Sequence, residues 1–268
     1  REVPGYRVSD VIVGDWTALR DAGTGGEWHD RLTRKADLAL RNRLSFFNLE
    51  EQDLGSPIEW NRDHGRGILA PMRFSPSIDY RDIRVTGDAK FVWEPNRHHQ
   101  LVVLGRAYRA TGDPRYASAL LEQIESWVRQ CPFGMGMNWR SPLELAIRLI
   151  NWVWALDLIR ESGLLRGECR ERVLHATYLH LWEITRKYSR GSSANNHLVG
   201  EAAGVFIGTS YLSAMANASR WREESREILE REILAQTYPD GIGCEQAMGY
   251  HLFVLQFFLL AGVAARRA

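Results

Sequence analysis

The chain has little of what marks a disulfide scaffold, a zinc module or a nucleic-acid-binding protein. Its 268 residues include three cysteines, Cys131, Cys169 and Cys244. They lie far apart and form no C-x-x-C pair, so neither a disulfide framework nor a zinc site is indicated. No H-E-x-x-H sequence occurs, and we expect no metal or other cofactor. The formal net charge is +1, which gives no reason to expect nucleic acid as a partner.

Hydrophobic segments that could enter a membrane are also scarce. The chain starts Arg1-Glu2-Val3-Pro4, without an initiator Met or an apolar leader. We therefore interpret it as a processed or trimmed piece, and its sequence does not report export. The longest apolar run, residues 252–265, is shorter than the roughly 20 residues that a helix needs to cross a bilayer. We expect a soluble protein without a membrane partner.

After residue 94 the chain alternates between apolar and half-polar helical segments. Segments beginning near residues 97, 142, 196 and 246 are largely apolar, and those between them carry charges along one face. The starts are 45, 54 and 50 residues apart. This rhythm is typical of antiparallel helix hairpins whose first helices face inward. We predict an all-α fold, an incomplete (α/α) toroid over residues 94–268.

The first third of the chain has a different texture. Residues 27–43 have helical spacing, whereas residues 44–93 form short extended segments interrupted by Gly and Pro. We predict that residues 1–93 form a lead-in, one helix and an irregular flap with short strands. This region should pack on the toroid and not form a separate domain.

Polar and aromatic residues gather where each inner helix is predicted to begin. In a toroid of hairpins these starts lie at one end, where helix N-termini favour anions. The sequence therefore predicts a cleft for an anionic ligand. The candidate residues are Glu94, Arg97, Asn138, Trp139, Arg140, Glu144, Asn196, His197, Glu201, Glu245, Tyr250 and His251.

Structural roles compete with functional ones at several of these positions. Side chains four residues apart on a helix can form a structural pair. Amides and carboxylates at a helix start can be caps, and a tyrosine can belong to the core. The residues open to such roles are the pairs Glu144–Arg148 and His197–Glu201, the caps Asn195 and Glu245, and Tyr250.

Asn, His and Tyr beside an anion site suit removal of the proton next to a uronate carboxylate. Negative charge builds on that carboxylate as the C–H bond breaks, and donors such as Asn196 and His197 can neutralise it. Tyr250 can protonate the leaving glycosidic oxygen, or accept a proton if its pKa is lowered. Hydrolysis would need two opposed carboxylates instead. Available carboxylates are Glu144, Glu201, Asp240 and Glu245.

At these positions the sequence resembles the N-terminal toroid domain of the heparinase II/III family of polysaccharide lyases. The resemblance extends from about Phe46 to the end of the chain. Four motifs carry it, in the right order and spacing. They are Phe91-Val92-Trp93-Glu94-Pro95-Asn96-Arg97, Asn138-Trp139-Arg140-Ser141-Pro142-Leu143-Glu144 with Arg148, Asn195-Asn196-His197 with Glu201, and Asp240-Gly241 with Glu245 and Tyr250-His251.

The resemblance implies an acidic, uronate-containing polysaccharide as substrate, heparin- or heparan-like or of another kind. It implies that Asn196 neutralises the uronate carboxylate with help from His197, and that Tyr250 is the catalytic acid, or acid and base. Substrate-subsite or bracing roles follow for Glu94, Arg97, Trp139 and Arg140.

The resemblance also implies partners and a location. Family members carry a C-terminal β-sandwich domain that closes the cleft, so we expect one in the full-length protein and none in this chain. Family habit favours the bacterial periplasm or secretion. Two other hypotheses stay open: a toroid glycoside hydrolase with paired carboxylates, and a non-catalytic module for glycan binding or exopolysaccharide assembly.

Overall fold

The computed structural model describes residues 26–266, which form a series of antiparallel helix pairs. The predicted lead-in, residues 1–25, lies outside this range. The helices of the described part are α1 (Glu27–Leu40), α2 (Ile83–Thr86), α3 (Ala89–Asn96), α4 (His99–Thr111), α5 (Pro114–Gln130), α6 (Pro142–Leu158), α7 (Gly167–Arg186), α8 (Asn196–Tyr211), α9 (Ala218–Ala235) and α10 (Met248–Ala265).

Helices α4, α6, α8 and α10 lie side by side, and each packs against the next. Helices α5, α7 and α9 form the outer members of the pairs, with α5 and α9 packed mainly on α4 and α8. The sequence explains this division, because α5 buries one apolar stripe whereas almost all of α6 and α8 is buried. The all-α class and the toroid arrangement are confirmed.

Close packing of α6 on α8 depends on small residues. A Cβ added at Gly204 would lie 2.7 Å from the Cβ of Ala146 and 2.8 Å from its Cα. Such distances are too short for carbon atoms in contact, so only glycine allows this approach of the two backbones.

The region before α3 is the predicted flap, with two small antiparallel sheets. Strands β1 (Arg43–Phe46) and β2 (Leu49–Asp53) form one, and β3 (Arg62–Asp63) and β4 (Ile68–Leu69) form the other. The flap lies against the helices through the buried Trp60. The carbonyl of Trp60 accepts a 2.7 Å hydrogen bond from Nδ2 of Asn96 at the end of α3.

A buried guanidinium lies at the centre of the helix packing. Arg148 of α6 is fully buried, and its guanidinium lies 4.3 Å from the centroid of the Trp127 ring. Its Nε donates to the carbonyl of Asn96 at 2.6 Å, and both Nη atoms donate to the carbonyl of Asn138 at 3.3 Å. Burial lowers the pKa of Arg148 to about 10. The structural pairing of Glu144 with Arg148 is therefore wrong, because Arg148 binds backbone oxygens.

His180 of α7 accepts the remaining contact of this group. Its Nε2 lies 3.1 Å from Nη1 of Arg148, and its Nδ1 donates to the carbonyl of Ala176 at 2.7 Å. Burial, followed by the charge of Arg148, lowers the pKa of His180 to about 3. His180 is therefore neutral near pH 7, and its Nε2 accepts from Arg148.

Helix α10 is apolar but buries only Phe257, Ala261 and Ala264. Its exposed large apolar side chains are Met248, Tyr250, Leu252, Leu255, Leu259 and Val263. Its 18 residues have a mean hydropathy of 1.7, so by length and composition it could cross a membrane. The helix begins at Met248, four residues before the apolar run at 252–265. The run alone therefore appeared too short to cross a bilayer. Core helices of soluble proteins pass the same test, but those are mostly buried, whereas α10 buries three of its 18 residues.

Candidate functional site

A groove lies at the end of the array where α6, α8 and α10 begin. It encloses about 640 Å³, a size typical of ligand sites. The first turns of these three helices form its base, and α3, the flap and the segment before α8 form its walls. The lining residues used below are Tyr80, Lys90, Trp93, Glu94, Arg97, Arg140, Glu144, Ser189, Asn196, His197, Tyr250 and Phe253.

Arg97 is held on one wall by two carboxylates. Its Nε and Nη2 each lie 2.8 Å from an oxygen of Glu144, and its Nη1 lies 3.0 Å from Glu94. Burial opposes the charge of Arg97, but these carboxylates outweigh burial and raise the pKa of Arg97 above its ordinary value. The positive charge of Arg97 is therefore already neutralised within the protein.

Two other cations on the groove are not neutralised in this way. Among residues 26–266, no carboxylate lies within ion-pair distance of Arg140 or Lys90. The Arg140 guanidinium lies 5.1 Å from the centroid of the Tyr80 ring, and its buried Nε has no hydrogen-bond partner in the described part of the chain. The Tyr80 and Trp93 rings are 5.5 Å apart. This side of the groove offers positive charge beside aromatic faces.

Asn196 is the first residue of α8 and is 4% exposed. Its Nδ2 donates to both carboxylate oxygens of Glu245 at 2.9 Å, and its backbone N–H donates to one of them at 3.0 Å. Asn195 is the cap of this helix, since its Oδ1 accepts from the His197 N–H at 3.2 Å. The half-buried side chain of His197 lies on the groove.

Glu201 does not orient His197, contrary to the sequence-based interpretation. Its two oxygens accept hydrogen bonds from the backbone N–H and the hydroxyl of Ser189, each at 2.7 Å. Burial raises the pKa of Glu201 to about 7, although both hydrogen bonds act in the other direction. Glu201 is buried and does not line the groove, so the structure places it away from the substrate-binding position expected for it. It anchors the groove wall at Ser189.

Tyr250, on the first turn of α10, is the most accessible of the three candidate catalytic residues. Its side chain is 51% exposed and lines the groove. The next residue, His251, faces a separate smaller cavity of about 170 Å³. Its Nδ1 accepts a hydrogen bond from the N–H of Gly243 at 3.2 Å. The groove thus brings Tyr250, Asn196 and His197 together and leaves His251 outside.

Two further substrate-binding expectations require correction. Asn138 and Trp139 are buried and neither lines the groove, so both side chains lie away from a ligand bound there. Nδ2 of Asn138 donates to the carbonyl of Trp60 at 3.1 Å, and Nε1 of Trp139 donates to the carbonyl of Cys131 at 3.0 Å. Both side chains brace the turn that carries Arg140.

Among the groove residues that were not candidates from the sequence are Tyr80, Lys90, Ser189 and Phe253. Phe253 had a usable signal, because it follows Tyr250 by three residues and shares its helix face. Tyr80, Lys90 and Ser189 lie outside the motifs, and only the folding of the flap and the segment before α8 places them on the groove. Within residues 26–266, no cluster of three or more His, Cys, Asp or Glu side chains could hold a metal ion.

Known proteins match the chain in both sequence and structure. A heparin-sulfate lyase from Bacteroides stercoris is 26% identical over 217 residues, covering 73% of this chain and 32% of the lyase. A heparin-sulfate lyase from Pedobacter heparinus is 26% identical over 185 residues, covering 67% of this chain and 28% of that protein. The chain thus spans about a third of the length of these relatives.

Solved structures share the fold. The heparan sulfate lyase HepC from Pedobacter heparinus matches with a TM-score of 0.69 and 21% identity, over 97% of this chain and 37% of that one. A heparinase III gene product matches with a TM-score of 0.67 and 23% identity, over 99% and 39% of the two chains. The family model described as "Heparinase II/III N-terminus" matches residues 30–268. That model covers nearly the whole chain. The chain therefore belongs to the heparinase II/III family.

Proposed function

We propose that the full-length protein is a lyase that cleaves a uronate-containing polysaccharide by β-elimination in this groove. One observation carries the proposal: Asn196, His197 and Tyr250 line a single groove together with the un-neutralised cations Lys90 and Arg140. Amide and imidazole donors suit the carboxylate, and free cations suit an acidic polymer. The names of the relatives, heparin-sulfate lyases, support the same reaction class.

The proposed reaction follows from these groups. Asn196 and His197 bind the uronate carboxylate, whose negative charge grows as the proton at C5 is removed. The C4–O bond then breaks, a C4=C5 double bond forms, and the departing oxygen takes a proton from Tyr250. The base is Tyr250 as phenolate or a group of a further domain. Such a domain, a C-terminal β-sandwich, and a periplasmic or secreted location are part of the proposal.

The groove favours this reaction over hydrolysis. A hydrolase needs two opposed carboxylates that are free to act on the substrate. The carboxylates that line the groove, Glu94 and Glu144, are both bound to Arg97. Because both carboxylates are engaged with Arg97, neither is free to act on the substrate as an acid or a nucleophile.

Replacing the tyrosine hydroxyl tests the proposal. In the full-length protein, Tyr250→Phe should lower kcat by about 100-fold or more, the usual contribution of a general acid. The rate is measured as ultraviolet absorbance of the unsaturated product on a uronate polymer. Tyr238→Phe is the matched control, because Tyr238 is also exposed (44%) and does not line the groove.

The outcomes separate the three hypotheses. New reducing ends without ultraviolet absorbance would indicate a hydrolase. Binding of the polymer without any cleavage by the wild-type full-length protein would indicate a glycan-binding module. Unsaturated product formed equally fast by Tyr250→Phe would remove Tyr250 from the mechanism.

Asn196→Ala provides an independent test of carboxylate neutralisation. We expect kcat to fall by about 100-fold or more, as when one donor to a developing oxyanion is removed. Asn195→Ser is the control, since serine keeps a helix cap and leaves the amide of Asn196 in place. Equal rates for Asn196→Ala and the wild type would contradict the assigned role.

A further inference from the structure

The donors that the proposed mechanism assigns to the substrate are already occupied by a carboxylate of the chain itself. Both oxygens of Glu245 accept from the amide of Asn196, and one also accepts from the backbone N–H that begins α8. Hydrogen bonds from amide donors to an ionised carboxylate are among the stronger ones in proteins. Glu245, which lines the smaller cavity next to the groove, therefore occupies the donors that a uronate carboxylate would need.

The burial of Asn196 shows that the two carboxylates cannot bind together. Only 4% of Asn196 is exposed, and its Nδ2 lies 2.9 Å from each oxygen of Glu245. A second carboxylate at the same donors would also lie beside a like charge, which is strongly unfavourable in a partly buried site. An incoming uronate reaches Asn196 only after Glu245 has left.

The segment that carries Glu245 is built in a way that permits this movement. It links α9 to α10, and residues 239–242 and 246–249 are exposed. Its hydrogen bonds run mostly within the segment, such as those from the Tyr238 N–H to the Ile242 carbonyl at 2.8 Å and from the Cys244 N–H to the Gln236 carbonyl at 2.9 Å, so they can persist when Glu245 leaves Asn196. Gln246 adopts a φ of 54°, a backbone conformation that costs free energy for a residue other than glycine. Release of Glu245 therefore disturbs little of the core.

We propose that Glu245 is an internal carboxylate that occupies the uronate site of the free protein and is displaced by the substrate. This inference rests on the proposed function of Asn196. The displacement makes binding selective for acidic sugars. Only a sugar with its own carboxylate can replace the hydrogen bonds that Asn196 makes to Glu245. A neutral sugar would leave the amide and the N–H of Asn196 unpaired, which is costly in a buried site.

Removal of the Glu245 carboxylate distinguishes competition with the substrate from a role in binding the substrate or positioning Asn196. In the full-length protein, Glu245→Ala should lower KM for a uronate polymer by about tenfold, equivalent to about 1.4 kcal/mol of competition removed. Glu230→Ala, an exposed residue of α9, removes the same charge and should leave KM unchanged. In an Asn196→Ala background, Glu245→Ala should no longer lower KM.

A small carboxylate provides a second readout that needs no catalysis. Without Glu245 the first turn of α8 loses its acceptor, so Glu245→Ala should unfold at a lower temperature than the wild type. Acetate at tens of millimolar should bind the vacated donors and raise that temperature, by linkage of binding to folding. Acetate should have no such effect on the wild type or on Glu230→Ala.

The outcomes distinguish this inference from the proposed function. A rise in KM, or a fall in kcat at unchanged KM, would show that Glu245 binds substrate or positions Asn196, and would overturn the inference. The absence of an acetate effect on Glu245→Ala would also overturn it. If no variant formed unsaturated product but acetate stabilised Glu245→Ala, the lyase proposal would fail and the internal carboxylate would stand.

Discussion

Helices α8 and α10 pack against each other, yet α8 is enclosed and α10 is open over most of its surface. Every residue of α8 except His197 is buried, whereas α10 buries three of its 18 residues. Both helices are apolar and both contain glycine, so composition does not separate them. The difference lies in their neighbours: α8 is covered by α6, α7, α9 and α10. The same kind of sequence therefore tolerates very different substitutions in the two regions.

The largest expected effect is at the buried guanidinium on α6, which packs on α8. Arg148→Met should lower the free energy of unfolding by about 3 kcal/mol or more, because two buried carbonyls lose their donors. Gln256→Met on α10 is the control, since Gln256 is exposed and should change stability by no more than about 0.5 kcal/mol. Chemical denaturation measures both. Equal stability of the two variants would refute the contrast between the regions.

The buried carboxylate of α8 should give the protein a pH-dependent stability. The pKa of Glu201 is about 7 in the folded state, against an ordinary value of 4.5. Between these values the folded protein holds a proton that the unfolded chain has lost. The contribution of Glu201 to the free energy of unfolding should therefore decrease as pH rises through this window, by up to about 1.4 kcal/mol per pH unit. His180, whose pKa is lowered from 6.5 to about 3, contributes the opposite slope below about pH 6.5.

Glu201→Gln should remove the contribution of Glu201 and leave that of His180, so the stability of the variant relative to the wild type should rise with pH between about 4.5 and 7, as measured by denaturation at pH values from 4 to about 8. The neutral amide can still accept the hydrogen bond of the Ser189 N–H. Glu230→Gln on the exposed face of α9 should retain the wild-type slope. Equal slopes in Glu201→Gln and the wild type would show that Glu201 does not cause this part of the pH dependence.

The smallest expected effects come from a pair of glycines. Gly204→Ala on α8 should cost about 1–3 kcal/mol, because its Cβ would overlap Ala146 and overpacking has this magnitude. Gly262→Ala on α10 meets nothing within 4 Å and should stabilise the protein by about 0.5–1 kcal/mol, since alanine is the better helix former. A loss of stability in Gly204→Ala with a gain in Gly262→Ala would support the contrast between α8 and α10. Stability changes of the same sign in both variants would contradict it.

The sequence was sufficient to predict the fold class and the convergence of helix starts. Apolar periodicity predicted the inner helices within a few residues, although α10 begins at Met248 and not near residue 246. Asn196, His197 and Tyr250 were predicted to share a site because inner helices of hairpins start at one end. That reasoning needs only the order of the helices and no knowledge of side-chain partners.

Partner assignments within a helix were not predictable. Spacing of four residues suggested Glu144 with Arg148 and His197 with Glu201. Glu144 instead binds Arg97 across helices, and Glu201 binds Ser189 of the segment before α8. A buried charge needs a partner to offset the cost of its desolvation. The partners of Glu144 and Glu201 come from other parts of the chain. The same limit explains why Trp139 looked like a ligand contact, since burial cannot be read from residue type.

The hydrogen bonds of Arg148 also set a distance in the groove. One guanidinium joins the carbonyl of Asn96 to that of Asn138. The chain reaches Arg97 one residue after the first carbonyl and Arg140 two residues after the second. The core side chain therefore acts as a spacer between the neutralised cluster of Arg97, Glu94 and Glu144 and Arg140, a cation on the groove wall that is unpaired within residues 26–266. The distance between these two parts of the groove is thus set by a residue without ligand contact.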